Sequence, residues 1–401
     1  MASHVVLGIG GGVDCELALS ARPLEQLVDA YRIHAAELSS PATVTSERDL
    51  VVSILAYLRK GGGGEQFVAS SDALRTLARR FPHRLTLGGT SVRAAIAMSR
   101  LGVPSTLHLV TVNDIVRRLL PAECDYVCSS REDTLFPHLI VQYDRGLRVR
   151  AGDIDIRAPS ANRLIYVNDP ANERLVLSDQ LAGLLRDARI FLISGLNAVR
   201  DPEVLDQRLS ELRWHMRQLP PEAVVVYEDA GFHQPSFSRR VRDALLEVID
   251  VYGLNEDEMQ AHLGHAVDLL SADEVERALT ALRALIPAPT LVVHTRYWAA
   301  ALGEAAGQYA EALHDGIVIA STRYAHGDDF TERHYQLMRD RRRRTDAVEF
   351  AATLEGRMGG AVRCVPGFDL EVAEPTTIGL GDTFVGGVLA AVAQKKAAPW
   401  T

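Results

Sequence analysis

The chain has 401 residues, 47% hydrophobic and 24% charged, a balance that excludes disordered and fibrous classes and leaves length for more than one domain. A formal net charge of -9 argues against a nucleic-acid partner, so any basic patch must be local and suited to a small anion. Cys15, Cys124, Cys128 and Cys364 form neither a disulfide framework nor a zinc-finger spacing, and no apolar run reaches the ~20 residues of a membrane helix, so a cytoplasmic protein is expected.

In chain order, a strand is expected at 5–9, followed by two helical patterns at 24–38 and 48–59 that leave it before the glycine run Gly61-Gly62-Gly63-Gly64. That run reads as a hinge or a place where backbone approaches a ligand, and equally as a flexible loop. Gly88-Gly89-Thr90-Ser91 opens a helix at 92–101. From about 125 to 176 short alternating runs and turn residues indicate a small antiparallel sheet. Strands at 190–193, 224–227, 248–252, 291–294 and 317–320 then alternate with helices at 202–217, 237–247 and 272–285, the rhythm of a mostly parallel sheet. Arg341-Arg342-Arg343-Arg344 reads as a solvated helix face, with an anion-binding role as the alternative.

The segment that carries chemistry is Thr377-Ile378-Gly379-Leu380-Gly381-Asp382-Thr383-Phe384, a glycine turn opening a helix. Glycines let several N–H groups converge on one anion, and the helix dipole adds partial positive charge there. Asp382, in the first turn, is a carboxylate able to accept a hydroxyl proton. An ordinary helix cap after a glycine loop is the competing reading of these residues alone.

The segment resembles the signature of the ribokinase superfamily, closest in wording to the ADP-dependent glucokinases and phosphofructokinases. Tyr252-Gly253-Leu254-Asn255-Glu256-Asp257-Glu258, Leu291-Val292-Val293-His294-Thr295, Ile193-Ser194-Gly195-Leu196 and Asn162-Arg163-Leu164-Ile165 are similar to further elements of that family, in its order. The resemblance implies an α/β fold: a ribokinase-like three-layer core at 1–12, 66–121 and 181–401, with a discontinuous β-rich lid at 13–65 and 122–180. It implies a Mg²⁺-dependent kinase moving the terminal phosphate of a nucleotide, ADP in preference to ATP, to a primary hydroxyl of a hexose or hexose phosphate.

By the same resemblance Asp382 is the base and the Gly379, Leu380 and Gly381 backbone the anion hole. Asp14, Glu65, Gly88, Gly89, Thr90 and Arg163 contact the sugar side, Asn255, His294, Thr295 and Thr377 the nucleotide, and Glu228 and Glu258 the Mg²⁺ shell. A lid salt bridge is the alternative role for Arg163, and a solvated acidic turn the alternative for 256–258. Two departures stand out. Val226-Tyr227-Glu228 lacks the family's histidine, and Thr90-Ser91 replaces its usual residues beside the glycine pair. An ATP-dependent ribokinase-like kinase of sugars or nucleosides and a non-catalytic sugar or nucleotide sensor remain as alternatives, and a monomer or small homo-oligomer is expected.

Overall fold

The computed structural model describes residues 4–38, 44–373 and 375–397. Its strands are, in chain order, β1 (Val5–Leu7), β2 (Gly12–Ala18), β3 (Gly64–Phe67), β4 (His83–Gly88), β5 (Ser105–Leu109), β6 (Cys124–Cys128), β7 (His138–Tyr143) and β8 (Arg148–Ala151). There follow β9 (Ile154–Arg157), β10 (Asn162–Val167), β11 (Ile190–Ile193), β12 (Val224–Glu228), β13 (Val251–Asn255), β14 (Thr290–His294), β15 (Trp298–Leu302) and β16 (Val362–Pro366).

Nine of them form the core sheet, in the order β16-β15-β14-β13-β12-β11-β1-β5-β6. Only β15 runs antiparallel to its neighbours. Both faces are covered, which is why these strands read as continuous apolar runs rather than alternating ones. Phe191 and Ile193 of β11 point into one apolar layer and Ile190 and Leu192 into the other. The first layer is closed by helices Pro202–Met216, Pro235–Leu245, Ala272–Leu285 and Thr345–Met358. The second is closed by Thr90–Arg100, Ala310–His326 and Leu380–Ala397.

Five strands form the lid sheet, β3-β10-β7-β2-β4, and β8 and β9 pair separately. Here alternation is clean because the two faces differ. Cys15, Leu17, Leu139, Val141, Leu164 and Tyr166 pack with helices Ala21–Tyr31, Glu47–Lys60 and Ser71–Ala78 in a third apolar cluster. Asp14, Glu65, His138 and Arg163 face the other way, into a cleft shared with the core.

The expected boundaries between core and lid need correcting. β4 and helix Ser71–Ala78 lie within 66–121, assigned to the core, yet belong to the lid sheet and its apolar layer. β6 lies within 122–180, assigned to the lid, yet pairs in parallel with β5 at the edge of the core sheet. The chain therefore crosses between the two sheets four times, after β1, β4, β6 and β10. At the first pair of crossings the backbones touch: Gly89 has φ +93°, and a Cβ there would lie 2.7 Å from the Gly11 Cα. An L side chain fails at that point on both conformation and space.

Two strand expectations also change. Residues 317–320 lie inside helix Ala310–His326, whose Ile317, Val318 and Ile319 are all buried between the sheet and the C-terminal helix; a helix enclosed on most sides loses the 3.6-residue stripe and mimics a buried strand. The strand expected at 248–252 is β13, shifted to Val251–Asn255, because Asp250 turns its carboxylate back to accept from the Val225 N–H at 2.7 Å. The glycine run is neither a hinge nor loose: Gly61 caps helix Glu47–Lys60, Gly62 O accepts from Tyr143 Oη, and Gly64 begins β3.

Candidate active site

The cleft between lid and core encloses about 930 Å³ over the carboxyl ends of the parallel strands, where ligands bind in sheets of this kind. Its floor is the glycine turn. The 18-residue C-terminal helix begins at Leu380, so the N–H groups of its first turn have no acceptor within the helix. Gly379, at φ +67°, leaves room for the Arg93 side chain, which a Cβ there would strike. The turn's carbonyls are tied off behind it: Ile378 O accepts from Arg323 Nη1, and Gly379 O accepts from Thr383 N at 3.0 Å and Thr383 Oγ1 at 2.8 Å. Donors thus face the cleft and acceptors face away. Thr377, Gly379, Leu380, Gly381 and Asp382 all line it.

Arg93, which the sequence reading passed over, lies buried under the turn and joins three carboxylates. Its Nη2 donates to Asp14 Oδ2 at 2.8 Å and lies 3.5 Å from Glu16 Oε1, while its Nε is 3.9 Å from Asp382 Oδ2. Asp14, on β2, is itself buried, with the His138 Nδ1 3.8 Å from its Oδ1. His138 Nε2 lies 3.2 Å from Asp169 Oδ2. Burial pushes this imidazole down, but the Asp169 hydrogen bond and the charges of Asp14, Asp169 and Glu65 outweigh it and lift its pKa to about 9. His138 was legible in the sequence only as one alternating position of a strand.

Glu65 of β3 and Arg163 of β10 line the lid side of the cleft, and Thr90 lines it at the start of its helix. Desolvation raises the Glu65 pKa. Gly88 is placed differently from expectation: it packs behind the cleft wall on the Asp14 carboxylate, which any Cβ there would strike. Ser91 is tied to the crossing between β1 and β2, donating to Gly10 O at 2.9 Å.

Glu228 and Glu258 stand behind the cleft rather than in its wall, each held by a protein partner. The Glu228 Oε1 is 2.8 Å from His294 Nε2. Glu258 closes a reciprocal cap with Asn255: its Oε2 accepts from Asn255 N at 2.7 Å and its Oε1 from Asn255 Nδ2 at 2.9 Å, while Asn255 Oδ1 accepts from Glu258 N at 3.0 Å. Burial raises the pKa of both, that of Glu258 strongly, and Glu228 adds to the rise at Glu258. Asp382 adds to the rise at Glu228. The imidazole that Val226-Tyr227-Glu228 lacks thus comes from two strands away. Alongside, Asp229 accepts from Tyr227 Oη at 3.0 Å and Tyr252 Oη at 2.8 Å and meets His262 Nε2 at 2.7 Å.

Asn255, His294 and Thr295 line the cleft, and His294 also stacks on Phe384 at 4.8 Å between centroids and so supports the turn from beneath. The far end of the cleft holds residues not anticipated, among them Tyr297, Tyr324, Phe368 and Arg344. Arg344 stacks over Tyr297 at 4.7 Å and Arg343 over Phe368 at 3.8 Å. The arginine run is therefore a cleft-edge segment between helices Glu332–Arg339 and Thr345–Met358, and not a helix face.

A three-layer, mostly parallel core whose glycine turn opens a helix beneath a discontinuous β lid defines a ribokinase-like α/β protein. The chain belongs to the family described as the ADP-specific phosphofructokinase/glucokinase conserved region, whose model matches residues 3–364; the glycine turn lies just beyond that stretch. A probable ADP-dependent glucokinase from Caenorhabditis elegans is 24% identical over 264 residues, 62% of this chain and 50% of that protein, so the chain spans about half the length of this curated relative. In fold the chain is similar to a hypothetical ADP-dependent phosphofructokinase from Pyrococcus horikoshii OT3, with a TM-score of 0.78, 16% identity and 98% of each chain covered. It is also similar to an ADP-dependent kinase in complex with fructose-6-phosphate and ADPβS, with a TM-score of 0.71, 13% identity, and 99% of this chain and 95% of that chain covered.

Proposed function

We propose that the chain is a Mg²⁺-dependent sugar kinase that moves the terminal phosphoryl group of ADP to a primary hydroxyl of a hexose or hexose phosphate. The observation that carries this reading is the placement of Asp382 at the mouth of a donor-lined helix start, linked through Arg93 to Asp14 on the lid. Membership of this family and the likeness to a probable ADP-dependent glucokinase support ADP as donor.

In this mechanism the acceptor's hydroxyls bond to Asp14, and its reacting hydroxyl attacks the β-phosphorus in line. The proton passes to Asp382 as the new P–O bond forms and the bond to the AMP oxygen breaks. The N–H groups of the glycine turn meet the charge on the phosphoryl oxygens, and lid closure excludes water that would otherwise take the phosphate.

The residues present fit Mg²⁺ in one manner. Among the described residues no group of three or more His, Cys, Asp or Glu side chains forms a cage. Glu228 and Glu258 are committed to His294 and Asn255, yet both offer carboxylate oxygens, and the charge of Glu228 adds to the rise in the Glu258 pKa. That suits a hard cation held through water and phosphate oxygens. When bound it would neutralise charge on the phosphates.

A glutamate beside Asp14 favours a neutral hexose over a hexose phosphate, and Glu65 on the cleft wall is that group. The four thiols are unpaired, in keeping with the reducing cytoplasm, and among the described residues no helix is long and apolar enough to cross a membrane. The test is phosphate transfer from ADP and from ATP, with Mg²⁺, to glucose and fructose 6-phosphate. Turnover with ADP is expected. Turnover with ATP alone overturns the donor, and binding without turnover for any pair makes the chain a sensor.

A further inference from the structure

Among the described residues Arg93 is the side chain that pairs with both functional carboxylates of the cleft, and it does so with two neighbouring nitrogens of a single planar fork. Nη2 meets Asp14 on the lid and Nε faces Asp382 on the core. The guanidinium is 7% exposed and lies in a slot that exists because Gly379 has no side chain.

The contacts continue into a closed path. Glu16, beside Asp14 on β2, accepts from Arg84 Nη2 at 2.7 Å and from Thr86 Oγ1 at 2.7 Å. Arg84 Nη1 lies 3.3 Å from Asp328 Oδ2, and Asp328 Oδ1 accepts from Arg323 Nε at 2.7 Å. Arg323 returns to the turn through Ile378 O. From Asp382 the path enters the lid through Arg93 and leaves it through Arg84, ending four residues from where it began. One arginine facing three carboxylates cannot neutralise them all. Glu16 already has Arg84 and Asp14 also faces His138, so Arg93 is the cation set between Asp14 and Asp382, offsetting the repulsion between these two carboxylates across the cleft.

On the kinase reading above, we propose that Arg93 is a positioning residue. It fixes the separation between the carboxylate that holds the acceptor and the carboxylate that takes its proton, so that lid closure delivers the hydroxyl to Asp382 in register. Rigid alignment of this kind is worth orders of magnitude, since a misplacement near 1 Å costs about 100-fold in rate. Lysine cannot replace it, because a point charge on a flexible stem does not span two acceptors as the fork does.

The experiment compares Arg93→Ala and Arg93→Lys with the wild type for kcat, for KM of ADP and of the sugar, and for Tm, with and without added guanidinium chloride at low millimolar concentration. The expected result for Arg93→Ala is a kcat about 100-fold lower, an unchanged KM for ADP, and recovery of about tenfold on adding guanidinium at constant Tm. A folded Arg93→Ala that retains kcat within threefold, or whose kcat is indifferent to guanidinium, overturns the proposal. Arg93→Lys keeps the buried charge and decides the matter if the alanine variant does not fold: about a tenfold loss of kcat at near-native Tm supports positioning, and native kcat overturns it. A wild type without phosphotransfer sinks the kinase reading itself, a result separate from either variant's behaviour.

Discussion

The imidazole of His294 and the carboxylate of Glu228 meet at 2.8 Å, spanning the carboxyl ends of β14 and β12 with β13 between them. Burial pushes the Glu228 carboxyl up, Asp382 and Asp229 push it further, and His294 opposes them. The same ring lies beneath the glycine turn, so one side chain supports both the buried carboxylate and the anion-binding backbone.

Replacing His294 with leucine should therefore act twice. Losing a buried partner costs about 1–3 kcal/mol, read as a lower Tm, and kcat should fall because the turn loses its support. Glu228→Gln alone should be milder. The double variant should lose less stability than the sum of the two, since the carboxylate left unpaired in the first is absent in the second. Additive losses in thermal denaturation would show that the two groups do not depend on each other.

The two glycines of the turn should differ in tolerance. Gly379→Ala forces a left-handed residue, at about 1–2 kcal/mol, and drives its Cβ into Arg93. At Gly381 a Cβ would sit 3.1 Å from His294 Cε1, close enough to require only a shift of a few tenths of an ångström. Gly379→Ala should thus lose most activity and Gly381→Ala a smaller part, measured as kcat with each variant's Tm as control.

Asp382→Asn keeps the size of the side chain and removes the proton acceptor. We expect kcat to fall by about 100- to 10,000-fold, the range of general-base catalysis, while nucleotide affinity measured by calorimetry holds within a few-fold. A variant that turns over at the wild-type rate would assign the base elsewhere.

A pH signature should attach to His138. Its folded pKa of about 9 stands above the unfolded value near 6.5, so the folded state binds the proton more tightly. The resulting stabilisation is fully present below about pH 6.5 and is lost as pH rises through 9. The Tm difference between wild type and His138→Gln should accordingly shrink between pH 6.5 and 9.5. A gap that stays constant across that range would mean the imidazole is not held protonated by Asp169 and Asp14.

The glycine turn was legible in the sequence because it is local: tight turn, helix start and carboxylate lie within six residues. The parallel core was legible for a similar reason, in apolar strands such as β11 and β14. Arg93 was not, since it reads as one polar position on a helix, and only the lid brings Asp14 to it from 79 residues away. Glu228 and His294 each marked a strand end, but their pairing over 66 residues needs the sheet order. The cap formed by Asn255 and Glu258 did carry a local signal, Asn-x-x-Glu before a helix, which fixes the placement of both side chains. Residues 317–320 misled because their burial is set by neighbours distant in sequence, and β6 because its membership of the core rests on pairing with β5.

Gly12 and Gly88 are cross-strand partners, and Gly11 and Gly89 touch immediately beyond them. The first lid segment therefore enters and leaves the core through one doorway. A chain lacking it needs no new linker to rejoin β1 to the helix at Thr90, so this stretch has the anatomy of something a core can gain or lose in one genetic step. The second lid segment has no claim to that independence. β7 pairs with β2, and β10 with β3, so it reaches a finished sheet only where the first is already in place. The order of dependence between the two halves of the lid is written in their pairing.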